Sequence, residues 1–270
     1  MCDTCGCSDD NDIRMTNMQD GETVAVHRPE EDDGHEHGHS HGHHRETKTI
    51  RLEQQVLTKN DLLAERNRGW FIGRSILALN LVSSPGAGKT TLLERTIRDL
   101  AGRAAISVIE GDQESTNDAE RIRSTGCPVV QINTGAACHL DAHMISHALG
   151  ELQPSVHSIV MIENVGNLVC PSMFDLGEKS KVLIVSVTEG EDKPLKYPHM
   201  FQASELVILN KTDLLPYLDF DVDKFAACTH QVNPDAQILQ VSATKGNGME
   251  AWYEWVIQGT TGKFSRSVSM

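Results

Sequence analysis

Aromatic side chains are scarce in this 270-residue chain. Six Phe, three Tyr and three Trp make up 4% of it, so any core has to be mainly aliphatic. Hydrophobic residues at 39% still suffice for one sizeable α/β domain or two small ones. Basic residues are also few, 24 Lys and Arg against 38 Asp and Glu, and a net charge of −14 excludes nucleic acid or an anionic membrane as an electrostatic partner. No apolar run approaches the roughly 20 residues that span a bilayer, and the N-terminus has no signal-peptide core, so a cytoplasmic location is expected. The seven cysteines are an odd number. Without an export signal they point to metal binding or burial, not to a disulfide framework.

What is present is unevenly distributed. Residues 1–44 carry 11 acidic and 2 basic side chains, against 27 and 22 in residues 45–270. The head, residues 1–48, has almost no large apolar side chains to offset the entropy of ordering, so it is expected to be disordered unless a metal organises it. Residues 49–72 read as a helix with Leu52, Val56, Leu63 and Trp70 in its apolar stripe, set against the domain that follows or against a second subunit. From there to residue 270, apolar runs at 76–82, 104–109, 128–132, 158–162, 182–187, 206–209 and 238–241 alternate with helical stretches such as 114–124 and 140–149. The pattern predicts an α/β fold, a mostly parallel sheet with helices on both faces, whose ligands gather at the carboxyl ends of the strands.

Ser83-Ser84-Pro85-Gly86-Ala87-Gly88-Lys89-Thr90 ends the first run and opens a helical pattern at Thr91. Strand, glycine-rich turn, Lys-Thr and helix is the context a phosphate-binding loop requires, although Ser83 stands where G-x-x-x-x-G-K-[ST] has its first glycine. Backbone N–H groups of Gly86, Ala87, Gly88 and the residues through Thr91 would cradle a polyphosphate; Lys89 would reach the β- and γ-phosphates, and Thr90 would bind Mg²⁺. Downstream, Asn210-Lys211-Thr212-Asp213 follows a strand. An Asp213 carboxylate can accept both N1–H and the exocyclic amine of guanine, a donor pair that adenine lacks. Lys211 can lie over the base, Asn210 can tie the loops together, and Ser242-Ala243 can offer a backbone N–H to the guanine oxygen. GTP is therefore the expected nucleotide. Asp112 and Glu163 each stand at a strand end between these motifs, able to hold Mg²⁺ or orient the attacking water. Helix capping would account for Asp118.

Three places invite another metal. Cys2, Cys5 and Cys7 can wrap one cation with the terminal amine as a fourth ligand, which suits tetrahedral Zn²⁺ or square-planar Ni²⁺. His35, His37, His39, His41, His43 and His44 on a glycine-rich tract suit accessory nickel storage, with a solubilising tail or a tag as alternatives. Cys138 and His139, read as opening a helix, and Cys170 offer three donors beyond strand ends. On spacing alone they serve equally as buried thiols and a capped helix, and a symmetric dimer would complete a metal shell. His143 and His147 share the helical face of His139 and read as solvated; Cys127 and Cys228 read as core thiols.

These segments resemble the HypB family of hydrogenase nickel-incorporation GTPases, in the SIMIBI class of P-loop proteins. The resemblance spans nearly all of residues 50–258 and is carried by residues 81–93, 108–113, 138–142, 163–171 and 187–198; the serine at 83 is the family's own variant. It implies a GTP-dependent homodimer that assists insertion of Ni²⁺ into the large subunit of [NiFe]-hydrogenase, working with a HypA-type nickel chaperone. It assigns Cys138, His139 and Cys170 to a weaker Ni²⁺/Zn²⁺ site at the dimer interface. Cys2, Cys5 and Cys7 match a tight nickel site found in some members, and the histidine tract resembles a nickel reserve. A urease-type nickel GTPase shares the class but matches less well through the cysteine head. Storage by residues 1–44, with the GTPase secondary, is the alternative from another class. No arginine finger is evident, so slow unassisted turnover is expected, with Lys193 or Lys196 as residues that could act across the dimer.

Overall fold

The computed structural model describes residues 13–26, 44–113 and 115–261, with the side chains of 44–53 left aside. The elements in chain order are β1 (Ile13–Asn17), β2 (Thr23–Val26), α1 (His44–Gly73), β3 (Leu77–Ser83), α2 (Lys89–Asp99), β4 (Ile106–Asp112), α3 (Asn117–Arg123), β5 (Val129–Asn133) and α4 (Ala142–Leu152). They continue as β6 (Ile159–Glu163), α5 (Cys170–Met173), β7 (Ser180–Ser186), α6 (Lys193–Lys196), α7 (Pro198–Ala203), β8 (Leu206–Asn210), α8 (Val222–Val232), β9 (Gln237–Gln240) and α9 (Met249–Thr260). One sheet runs in the order β2-β1-β5-β4-β6-β3-β7-β8-β9. From β5 to β9 its neighbours pair in parallel.

β3 lies between β6 and β7 and is covered on both faces, so all seven of its residues are buried and it reads as a near-continuous apolar run. On one face Leu92, Leu93 and Ile97 of α2 and Trp252, Tyr253 and Val256 of α9 pack on the sheet. On the other, Phe71 of α1 and Met144, Ile145 and Ala148 of α4 do so. The mostly parallel sheet with helices on both faces is thus present. The seven strands read from the sequence recur with ends shifted by at most three residues.

Three readings need correction. Residues 13–26, inside the head expected to be disordered, form an antiparallel hairpin that joins β5 as an added edge. Ile13, Met15 and Val26 are buried in the cluster shared with α4, which supplies the apolar area that the head's composition conceals. α1 begins at His44 and turns a different face inward. Asn60, Ala64, Asn67 and Phe71 are buried, whereas Val56 is exposed and Leu63 and Trp70 are half-buried. Asn60 and Asn67 occupy that face because backbone groups need partners there: Asn60 donates to the Asp175 carbonyl at 2.8 Å and accepts from the Ala142 N–H at 2.9 Å. Asn67 donates to the Ala142 and Leu176 carbonyls at 2.8 and 3.1 Å. Finally, Cys138 and His139 do not open α4. Asp141, a far better N-cap, accepts from the Met144 N–H at 2.8 Å, and the Cys-His pair lies in the loop before it.

Candidate functional site: a phosphate loop joined to a three-donor metal cluster

The turn after β3 is left-handed at Gly86 (φ 75°) and Gly88 (φ 95°), and α2 starts directly after Gly88. A Cβ on Gly88 would sit 2.6 Å from Asn210 Nδ2, so this glycine is required by both backbone angle and space. Asn210 donates to the Ala87 carbonyl at 3.0 Å and accepts from the Ala243 N–H at 3.2 Å, tying the phosphate loop to both base-side loops. Lys211 reaches the Gly86 carbonyl at 2.6 Å. Ser242 donates to Asp213 Oδ1 at 2.6 Å, which fixes the carboxylate. The N–H groups expected to meet the base are used otherwise. That of Ser242 goes to the Asn247 carbonyl at 2.9 Å and that of Ala243 to Asn210, because the loop closes on itself. The Thr91 hydroxyl accepts from Arg121 at 3.2 Å.

Acidic groups converge beneath the phosphate loop. Lys89 Nζ lies 3.4 Å from Glu163 Oε1, and the Thr90 hydroxyl donates to the same oxygen at 2.6 Å. Burial pushes the Glu163 carboxyl up while Lys89 opposes it. Glu110 is its partner across the β4–β6 register and is also buried. Burial, with the Glu163 and Asp112 carboxylates adding to it, pushes Glu110 up to about 9. Oε2 of each glutamate is buried without a hydrogen-bond partner. Asp112 was expected just past its strand, but it is the last residue of β4, opposite Asn133. Burial would raise its carboxyl; the Ser115 hydroxyl at 2.6 Å and N–H at 2.9 Å outweigh this and hold it below the ordinary carboxylate range. A groove of about 430 Å³ opens beside it, lined by Gln113, Ser115, Gly135 and Ala136.

The third feature is a donor cluster. Ligand atoms of Cys138, His139 and Cys170 all lie within 4.8 Å of one another. The two sulfurs are 2.8 Å apart, and Cys138 Sγ is 3.8 Å from His139 Nδ1. His139 is buried, its ring 3.9 Å from that of Phe174. Two soft thiols and an imidazole suit Ni²⁺ or Zn²⁺ and leave coordination positions for further ligands. The segment from Glu163 to Cys170 connects this cluster to the phosphate loop. Asn164 accepts from the Leu140 N–H at 3.2 Å. Gly166 faces Pro85, where a Cβ would come within 3.2 Å, and Asn167 donates to the Cys138 carbonyl at 3.3 Å.

Residues 77–240 match the CobW/HypB/UreG nucleotide-binding domain family. Hydrogenase maturation factor HypB of Escherichia coli K12 is 59% identical over 207 residues, 77% of this chain and 71% of that protein. The Azotobacter vinelandii factor is 58% identical over 211 residues, 78% and 70% of the two chains. Among solved structures, HypB from Helicobacter pylori in complex with nickel has a TM-score of 0.72 at 36% identity, covering 78% of this chain and 100% of that one. HypB from Archaeoglobus fulgidus has a TM-score of 0.70 at 39% identity, covering 75% and 99%. The chain belongs to the HypB family.

Cys2, Cys5, Cys7 and His35, His37, His39, His41 and His43 lie outside the described residues of this HypB-family chain, and the side chain of His44 is not described. On α4, half-buried His143 and exposed His147 bring their Nε2 atoms to 3.2 Å. Cys127 is buried and Cys228 half-buried. Lys193 pairs with Glu189 at 2.9 Å and Lys196 with Asp192 at 2.8 Å. Sequence reasoning missed the polar chain beneath the site. Asn80 donates to Glu178 Oε1 at 3.0 Å and accepts from Asn164 at 3.2 Å, and Lys181 pairs with Glu178 at 2.8 Å. The signal was available: a lone Asn inside an otherwise apolar strand has to find partners.

Proposed function

We propose that this HypB-family chain is a GTP-hydrolysing nickel metallochaperone that assists insertion of Ni²⁺ into the large subunit of [NiFe]-hydrogenase. One observation carries the reading: the three-donor cluster takes Cys170 from the segment that begins at Glu163, the carboxylate paired with Lys89, and Asn167 of that segment donates to the Cys138 carbonyl. The relatives named as hydrogenase maturation factors, and the nickel complex of the Helicobacter pylori protein, support nickel as cargo and hydrogenase as its destination. One Helicobacter pylori relative, 36% identical, is named for both hydrogenase and urease. The cysteine head argues for the hydrogenase role here.

In this reading two copies of the chain associate when GTP is bound, and a HypA-type chaperone works beside them. Lys89 leaves Glu163 for the β- and γ-phosphates, and the loop N–H groups of residues 86–91 stabilise the charge that grows on them. Asp213, held by Ser242, selects guanine. Water attacks the γ-phosphate to give GDP and phosphate, oriented by Asp112 or Glu163. Thr90, Asp112 and Glu163 would hold Mg²⁺, which screens the phosphate charge when bound; the buried, unpartnered Glu163 Oε2 fits that duty. Freed from Lys89, Glu163 shifts its segment and with it Cys170, so nucleotide state changes the nickel ligands; Zn²⁺ suits the same donors. No helix among the described residues is long and apolar enough to cross a membrane, in keeping with work in the cytoplasm.

The test is nickel affinity by chelator competition in full-length protein carrying Cys2→Ala, Cys5→Ala and Cys7→Ala, with residues 35–43 replaced by a Gly/Ser linker. We expect at least a tenfold difference between GDP and a non-hydrolysable GTP analogue, about 1.4 kcal/mol of coupling. Equal affinities would leave the nucleotide in control of association alone.

A further inference from the structure

α4 presents a second set of nitrogen donors, apart from the cluster of Cys138, His139 and Cys170. The helix buries Ala142, Met144, Ile145, Ala148, Leu149 and Leu152. That leaves His143, His147 and Glu151 at i, i+4 and i+8 on the opposite stripe, half-buried at His143 and exposed at the other two. Both ends of the helix are held. Asp141 accepts from the Met144 N–H at 2.8 Å, Asn67 of α1 donates to the Ala142 carbonyl at 2.8 Å, and the Gln153 N–H donates to the Leu149 carbonyl at 3.1 Å. The two histidine backbones are thus fixed relative to each other before any ligand arrives. His139 takes no part, because it is buried against Phe174 in the loop before the helix.

The side chains converge on one point. Nε2 of His143 and Nε2 of His147 are 3.2 Å apart, with ring centroids at 4.5 Å and ring planes at 66°. Two nitrogens bound to one cation at ~2.0–2.1 Å stand about 3.3 Å apart at a tetrahedral angle and about 2.9 Å apart at a right angle. The observed spacing falls between these values, so the pair already has the bite of a two-toothed chelate. A hydrogen bond between the rings needs an acceptor nitrogen, and neutral imidazole is also the form that binds metal. Glu151 adds a carboxylate one turn beyond His147. Arg66 and Arg74 of α1 border the adjoining cavity with Ser146 and Gly150 and act against it. That balance favours a weak, exchangeable site over a tight one.

We propose that His143 and His147 clamp one borderline divalent cation, Ni²⁺, Zn²⁺ or Cu²⁺, on the surface of α4. The cation replaces the hydrogen bond between the rings, and its remaining positions stay open to water. Imidazole nitrogen selects these ions over Mg²⁺ and Ca²⁺, which take oxygen ligands. With two protein ligands and an exposed rim, the ion enters and leaves without any rearrangement of the fold. The site needs neither nucleotide nor the cysteine cluster.

The test uses full-length protein stripped of its other soft donors by Cys2→Ala, Cys5→Ala, Cys7→Ala, Cys138→Ala and Cys170→Ala, with residues 35–43 replaced by a Gly/Ser linker. Equilibrium dialysis should find one Ni²⁺ or Zn²⁺ per chain, retained in excess Mg²⁺. The electron paramagnetic resonance spectrum of bound Cu²⁺ should show two imidazole nitrogens. His147→Gln should weaken binding about tenfold or more by removing the second tooth. His143→Gln/His147→Gln should abolish that equivalent while the circular dichroism and Tm of the metal-free protein stay the same. Undiminished binding in the double variant, displacement by Mg²⁺, or one ion shared between two chains overturns the proposal. A second measurement needs no stripped variant. In the wild-type chain Zn²⁺ should shield His143 and His147 from diethyl pyrocarbonate, read by peptide mass spectrometry, and leave exposed His157 reactive. Equal modification of all three with and without Zn²⁺ overturns it as well.

Discussion

Gly88 shows how little latitude single residues have at this site. Its φ of 95° lies where an L side chain is strained by roughly 1–2 kcal/mol, and a Cβ would press on the Asn210 amide that joins three loops. Gly88→Ala should therefore weaken GDP binding at least tenfold by titration calorimetry with little loss of the remaining fold; wild-type affinity would show that Asn210 can move aside. Glu110 illustrates the opposite case. In the sequence Glu-Gly-Asp reads as a polar strand end, and only the β4–β6 pairing buries Glu110 against Glu163.

At the scale of elements, α1 and the edge hairpin carry what periodicity could not show. Asn67 closes the Ala142 and Leu176 carbonyls, so it holds the start of α4 just beyond the Cys138–His139 loop. Asn67→Ala removes the buried amide that donates to both carbonyls. It should cost about 1–3 kcal/mol, a fall in Tm of roughly 3–10 °C by calorimetry. An unchanged Tm would mean that water replaces the amide. A helix reading built on apolar spacing favours Leu63 and Trp70, because it has no means of scoring an Asn whose partners are backbone groups far along the chain. The hairpin was missed for a related reason: the alternation of Ile13 and Met15 with polar residues is only two periods long, and β5 completes it.

For the molecule as a whole, the buried carboxylates make stability depend on pH. Glu110 holds its proton up to about pH 9 in the fold, whereas an unfolded chain releases it near pH 4.3. Between those values unfolding releases a proton, so this contribution is complete at low pH and is lost as pH rises toward 9. Metal-free protein should lose about 5 °C or more in Tm between pH 6 and pH 9. Glu110→Gln should flatten that decline, and an equally steep profile in the variant would assign it to other groups.

Contiguous chemistry is what the sequence by itself determined. The phosphate loop, Asn210-Lys211-Thr212-Asp213 and the alternation of apolar runs with helical stretches each rest on neighbours in the chain, where local geometry follows from residue type. The structure alone decided which distant residues meet. Cys138 and Cys170 are 32 positions apart and face each other because β5 and β6 flank β4 and their loops leave the same edge. The β1–β2 hairpin joins the sheet because β1 finds its apolar partners on β5 and α4. Such pairings depend on burial and hydrogen bonding between segments, and no local pattern of residues encodes them.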